Sequence, residues 1–87
     1  MSSHDAIPWT CPRTGLALVL SSERVVAACN QAIARRSLRN AAGGLIVLPL
    51  SGGLETVDGV YLYPIRESIP CLGRVDAILL RAILTQL

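Results

Sequence analysis

The sequence contains no phenylalanine and no lysine, one tryptophan, one histidine and two tyrosines. With 52% of its 87 residues apolar and so few aromatics, any core must be aliphatic, built from Leu, Ile, Val and Ala. Uninterrupted apolar runs such as Leu16–Leu20 and Ala77–Leu80 fall far short of the ~20 residues that span a bilayer, so no membrane partner is expected. The first residues, Met1 to Asp5, hold neither a basic region nor an apolar run; this reads as no signal peptide, and a cytoplasmic location follows as the expectation. The only histidine, His4, lies in a stretch expected to fray over residues 1–6. It offers Cys11 no base, so Cys11 is not read as a nucleophile. Carboxylates are scarce: Asp58 belongs to a turn, Glu67 to a corner and Glu55 to a strand, and no acid/base pair is implied. Gly43-Gly44 and Gly52-Gly53 lack the lysine and the strand–helix setting of a phosphate loop. No catalytic residue, cofactor or enzyme activity is therefore expected.

Length permits one domain over 1–87, burying roughly 60–65% of its unfolded surface. The net charge of +2 comes from eight arginines against six acids, too mild an excess to call for nucleic acid by itself. Cys11, Cys29 and Cys71 are odd in number and widely spaced. They read as reduced, mostly buried thiols rather than a disulfide framework.

Along the chain, Cys11-Pro12-Arg13-Thr14-Gly15 reads as a turn. Leu16 to Leu20 reads as a strand with Leu16, Leu18 and Leu20 on one face. Ser21-Ser22-Glu23 starts a helix of about 23–36, a hydroxyl cap followed by an acid. Its buried stripe is Val25, Val26, Cys29, Ala32 and Ile33. Residues 37–50 read as a small hairpin or extended excursion, closed by Pro49 and Ser51-Gly52-Gly53. Leu54 to Val57 is a strand, and Asp58-Gly59 signals a two-residue hairpin turn with positive backbone angles at both places. Val60 to Tyr63 returns with Tyr61 and Tyr63 on one face, and Pro64 is expected to end regular pairing. Ile65 to Ser68 is a corner. Here Arg66 can tie the chain together through backbone carbonyls or through a carboxylate such as Glu67 or Asp58, a structural role favoured over a partner contact. Ile69 to Leu72 is a short edge strand marked by Pro70. Residues 74–87 read as a C-terminal helix with Val75, Ile78, Leu79, Ala82 and Ile83 on one stripe and Leu80, Leu84 and Leu87 on another. A helix apolar on most sides is clamped between layers or offered to another molecule. The fold class is α+β, a small, mostly antiparallel sheet with an inserted helix and a C-terminal helix.

Two motifs, CPRTG at Cys11–Gly15 and LYPIRESIPCL at Leu62–Leu72, carry a family resemblance. The chain resembles the small methyltransferase-activator family: the multifunctional methyltransferase subunit of eukaryotes and archaea and its short bacterial relatives. The resemblance covers roughly Trp9 to Leu80. It implies zinc-ribbon ancestry, with four ligand positions falling at Cys11, Thr14, Thr56 and Gly59. Only Cys11 among these can ligate zinc as a thiolate, so the resemblance implies a lost metal site. It also implies a subunit that does no chemistry and docks an edge strand on a class I methyltransferase. The matching contact positions are Tyr63, Pro64, Ile65, Ile69, Pro70, Cys71 and Leu72. Two other readings stand beside it. One is an RNA- or ribosome-associated module using Arg35, Arg36, Arg39 and Arg24, against which stands a solvated helix end where cations suit the dipole. The other is an orphan domain that homodimerises through the C-terminal helix.

Overall fold

A computed structural model describes residues 9–84; the expected frayed segment, with His4, and the last three residues of the expected C-terminal helix lie outside them. The fold is α+β, with one curled antiparallel sheet and two helices. Strand β1 is Leu18–Leu20, helix α1 Glu23–Ala34, β2 Gly52–Thr56, β3 Tyr61–Arg66, β4 Ile69–Pro70, β5 Ile78–Leu79 and helix α2 Leu80–Leu84. The sheet order is β1-β2-β3-β4, and β5 also pairs with β3. Among the described residues no helix is long and apolar enough to cross a membrane.

Alternation along β3 separates two apolar clusters. Leu62 joins Cys29, Ile33, Leu38, Ile46, Ile78 and other residues beneath α1, while Tyr63 joins Cys11, Leu18, Leu54 and Ala77. The turn of Cys11 lies over the second cluster. Helix α1 forms as its sequence dictates. The Ser22 hydroxyl accepts from the Val25 amide at 3.3 Å, and Ala28, Cys29, Ala32 and Ile33 are buried with Val25 and Val26 packed beside them. Its end is a two-bond cap. The Ser37 amide donates to the Ala32 carbonyl and the Arg36 amide to the Ile33 carbonyl, with Arg36 at φ 57. This geometry ordinarily takes glycine at the left-handed place.

The segment after α1 is a small hairpin closed by the Arg39↔Leu45 bridge. Asn40 organises its turn, its side-chain oxygen accepting from the amides of Ala42 and Gly44. Gly52 and Gly53, expected to close a loop, open β2 instead. A Cβ on Gly53 would stand 3.0 Å from Ser21 Oγ and 3.2 Å from Leu62 Cδ1, so close packing holds a glycine there.

Three further expectations are corrected. Pro64 does not end pairing; it lies inside β3 opposite Gly53. Gly53 accepts from Ser21 on its other side, and Pro64 accepts from the Cys71 amide on its own far side. The pair is therefore one that needs no bond between β2 and β3, and the missing proline donor removes none. Asp58-Gly59 is not a two-residue turn. Glu55 is opposite Leu62, so four residues, 57–60, form the loop, and only Gly59 there has positive φ, at 76. The two-residue turn with both angles positive is Glu67-Ser68, at φ 52 and 66, closed by Arg66↔Ile69. The C-terminal helix is also different. Residues Arg74–Asp76 make one 3-10 turn, β5 pairs Leu79 with Tyr61 and Ile78 with Leu62, and α2 begins only at Leu80. The edge of β3 beyond β4 was open, and Ile78 gains complete burial by pairing there; Val75, expected in the stripe, is 56% exposed.

Candidate functional site

Two turns hold the residues that the zinc-ribbon resemblance pointed to. In the first, Cys11 is buried, and its sulfur lies 3.0 Å from the Tyr63 hydroxyl. The Thr14 hydroxyl and the amides of Arg13 and Thr14 also lie toward this sulfur, where they favour a thiolate. Burial pushes the thiol pKa up, but these donors outweigh it and hold the thiol below its ordinary value. Tyr63 responds in the opposite sense: burial first, then its bond to Cys11, push its hydroxyl up. The turn is closed from within by Cys11 amide to Leu16 carbonyl at 2.8 Å and Gly15 amide to Cys11 carbonyl at 2.7 Å. Arg13 reaches outward, its guanidinium 5.6 Å from the centre of the Tyr61 ring and its Nε donating to the Arg74 carbonyl at 3.3 Å.

The second turn is the loop at 57–60. Thr56, 2% exposed, donates its hydroxyl to Asp58 Oδ1 at 2.6 Å and accepts from the amides of Val60 and Tyr61 at 3.2 and 3.1 Å. The Gly59 amide donates to the Thr56 carbonyl at 2.9 Å. Among the described residues, no three of His, Cys, Asp and Glu are grouped to hold a metal ion. Cys29 is buried on the inner face of α1, and burial, aided by the charge of Glu55, pushes its thiol to about 11.

The seven expected contact residues separate into two groups. Tyr63 and Pro64 are fully buried and present no side chain to a partner; β3 is a central strand, so its alternate side chains fill the clusters on both faces. Ile65 and Leu72 are half-buried against the Cys11 cluster. Ile69 is 64% exposed, with Pro70 and Cys71 half-buried beside it. Strand β4 pairs with β3 alone. Because Arg66↔Ile69 and Pro64–Cys71 are the bonded positions, the backbone of Pro70 faces outward with a carbonyl and no donor. The expected docking helix is not a long apolar surface in the described residues, where α2 spans Leu80–Leu84 with Leu80 and Ile83 buried.

Arg66 bears out the structural role in part: its Nη2 donates to the Leu48 carbonyl at 3.4 Å and its Nη1 to Cys71 Sγ at 3.8 Å. Its Nε is buried without a partner among the described residues. Neither Glu67 nor Asp58 pairs with it. No local pattern marks the Cys11–Tyr63 contact, which joins positions 52 residues apart, nor the clefts that Arg66 borders.

Over 95% of its length the chain is similar to the solution NMR structure of XF2673 from Xylella fastidiosa, with 28% identity, a TM-score of 0.74 and 86% of that chain covered. No family model matches the sequence, and no curated protein matches it. The likeness to XF2673 shows that the small α+β fold is shared.

Proposed function

We propose that this chain is a non-catalytic interaction subunit whose β3–β4 hairpin docks on a larger protein, and that the larger protein is a methyltransferase which the chain activates or stabilises. The observation that carries the docking is Ile69, a large apolar side chain 64% exposed on a strand with one open edge. Glu67 and Ser68 hold the hairpin tip in a conformation that disfavours both residues, and such strain concentrates at binding and switch regions. The Pro70 carbonyl accepts one donor from an added strand and returns none. Selectivity therefore falls on side chains, Ile69 above all. The choice of a methyltransferase rests on the resemblance of LYPIRESIPCL at Leu62–Leu72.

The same reading makes Cys11, Thr14, Thr56 and Gly59 remnants of four zinc-ligand positions, with hydrogen bonds in place of metal. Its support is that each turn is closed from within: the Cys11 sulfur takes its donors from its own turn and Tyr63, and the Thr56 hydroxyl is committed to Asp58. One thiolate and two hydroxyls do not fit a tetrahedral zinc.

The test is capture of the tagged chain from its native host, followed by mass spectrometry. A methyltransferase in stoichiometric amount, lost with Ile69→Asp while the melting temperature is kept, is the expected result. Ile69→Asp serves alone because Leu72 packs on the Cys11 cluster. Ribosomal proteins or RNA, self-association alone, or a partner retained by Ile69→Asp would overturn the reading.

A further inference from the structure

A second surface lies on the segment between the Asn40 turn and β2. This segment is anchored at both ends. The Ile46 amide donates to the Leu38 carbonyl at 2.9 Å. Asn30 grips Leu50 twice, its Oδ1 accepting from the Leu50 amide at 2.7 Å and its Nδ2 donating to the Leu50 carbonyl at 3.0 Å. Ile46 and Leu50 are buried, whereas Val47 and Leu48 between them are 60% and 59% exposed, and Pro49 is exposed too. The result is a bowed apolar ridge on fixed supports. Among the described residues the amides of Val47 and Leu48 and the carbonyl of Val47 have no hydrogen-bond partner; the Leu48 carbonyl has Arg66.

Clefts flank the ridge. Arg66 lines one of about 170 Å³ with Val47 and Leu48, and another with Leu48, Pro49 and Ser51. Arg36 lines a third with Val47 and Pro49. Neither arginine has a carboxylate partner among the described residues. The acids that line these clefts are Asp76 in the first, engaged by the Gly73 amide at 3.0 Å, and Glu67 in the second, exposed at the hairpin tip.

We propose that the Val47–Leu48–Pro49 ridge is a docking surface for an extended segment of a partner protein in which apolar side chains are bracketed by carboxylates, received by Arg66 and Arg36. The unspent amides suit an extended backbone. Exposed apolar side chains suit the centre of the segment, and the guanidinium groups, neither of them paired with a carboxylate, suit carboxylates at its ends, Arg66 exchanging its long bonds to the Leu48 carbonyl and Cys71 Sγ for a charged acceptor. Anchoring by Asn30 and Leu38 means that little ordering is required on binding. Nucleic acid suits the ridge less, because it carries no aromatic ring for a base to stack on. The ridge is a different surface from the Ile69 edge, so either can fail without the other.

The experiment is an NMR titration of the labelled chain with an acetylated, amidated peptide of sequence Asp-Glu-Leu-Val-Leu-Glu-Asp. A control peptide replaces each acid by its amide. The expected result is a shift of the Val47 and Leu48 amides and of the Arg66 Nε resonance, with Leu72 unmoved. Binding should weaken about tenfold for the control peptide and for Arg66→Gln, as expected for loss of a charge-assisted pair. Arg36→Gln, at an exposed helix end, provides a second test if Arg66→Gln disturbs the fold. Equal binding of the two peptides, binding unchanged in both arginine variants, or no ridge shift at millimolar peptide overturns the proposal. Ridge shifts driven by protein concentration alone, which would mean a second copy, or by oligouridine and not by the peptide, overturn it as well.

Discussion

Replacing Thr56 by valine tests whether hydrogen bonding holds the β2–β3 loop in place. Valine keeps the shape, so no cavity opens. Three interactions go: the hydroxyl's bond to the Asp58 carboxylate at 2.6 Å, and its acceptance of the Val60 and Tyr61 amides at 3.2 and 3.1 Å. Val60 keeps Asp58 Oδ1 as an alternative at 3.2 Å; Tyr61 loses its acceptor in a half-buried strand start. A bond to a charged group contributes about 1.5–3 kcal/mol, and an amide left without a partner costs about 1–3 kcal/mol. Together the loss is about 3 kcal/mol, a large share of the roughly 4–13 kcal/mol expected for a domain of this length. With a urea slope near 1 kcal/mol/M for so small a protein, the unfolding midpoint should fall by about 2–3 M. Thr56→Ser keeps the hydroxyl and should lose only about 1 kcal/mol, the contribution of one buried methyl. If valine costs less than about 1 kcal/mol, or serine costs as much as valine, the loop is held by something other than this hydroxyl.

Other outcomes follow from particular residues. Stability should fall as pH rises from about 9 to about 11, because the unfolded chain releases the Cys29 proton near the usual thiol value while the folded chain keeps it to about 11. Tyr63, also raised, acts in the same sense, and Cys29→Ala should flatten the decline in urea midpoints; a midpoint that rises over this range would contradict the assignment. Arg36→Gly should stabilise the protein by about 1 kcal/mol in thermal melts, since Arg36 stands at φ 57 in the α1 cap. Glu67→Asn with Ser68→Gly should add about 1–2 kcal/mol, because both places of that turn have positive φ. Tyr63→Phe should cost about 1 kcal/mol and return the Cys11 thiol toward its ordinary pKa, read by the pH dependence of alkylation in mild denaturant.

What the sequence settled is local or periodic. Ser22 and the stripe from Val25 to Ile33 define α1 because cap and face lie within one helix. Alternation of Tyr61, Leu62 and Tyr63 defines β3 because the period of two survives whatever packs on either side. The aliphatic core followed from composition, and the exposed edge at Ile69 followed from Pro70.

Only the tertiary structure decided the rest. Val75 to Ile83 has helical spacing, yet Ile78 and Leu79 complete the edge of β3, because burial there outweighs local propensity. Asp58-Gly59 has hairpin chemistry, yet Thr56 draws the Val60 and Tyr61 amides into a longer loop, while Glu67-Ser68 takes the strained turn because β4 is held to β3 at Cys71. Pro64 lies in mid-sheet because its missing donor faces Cys71 rather than β2. Val47 and Leu48 are as apolar as their buried neighbours Ile46 and Leu50, yet anchors at Leu38 and Asn30, neither adjacent in the chain, leave them outside the core. Apart from Thr56, which acts within its own loop, the deciding partners are packing neighbours that the fold brings together, and no local pattern records them.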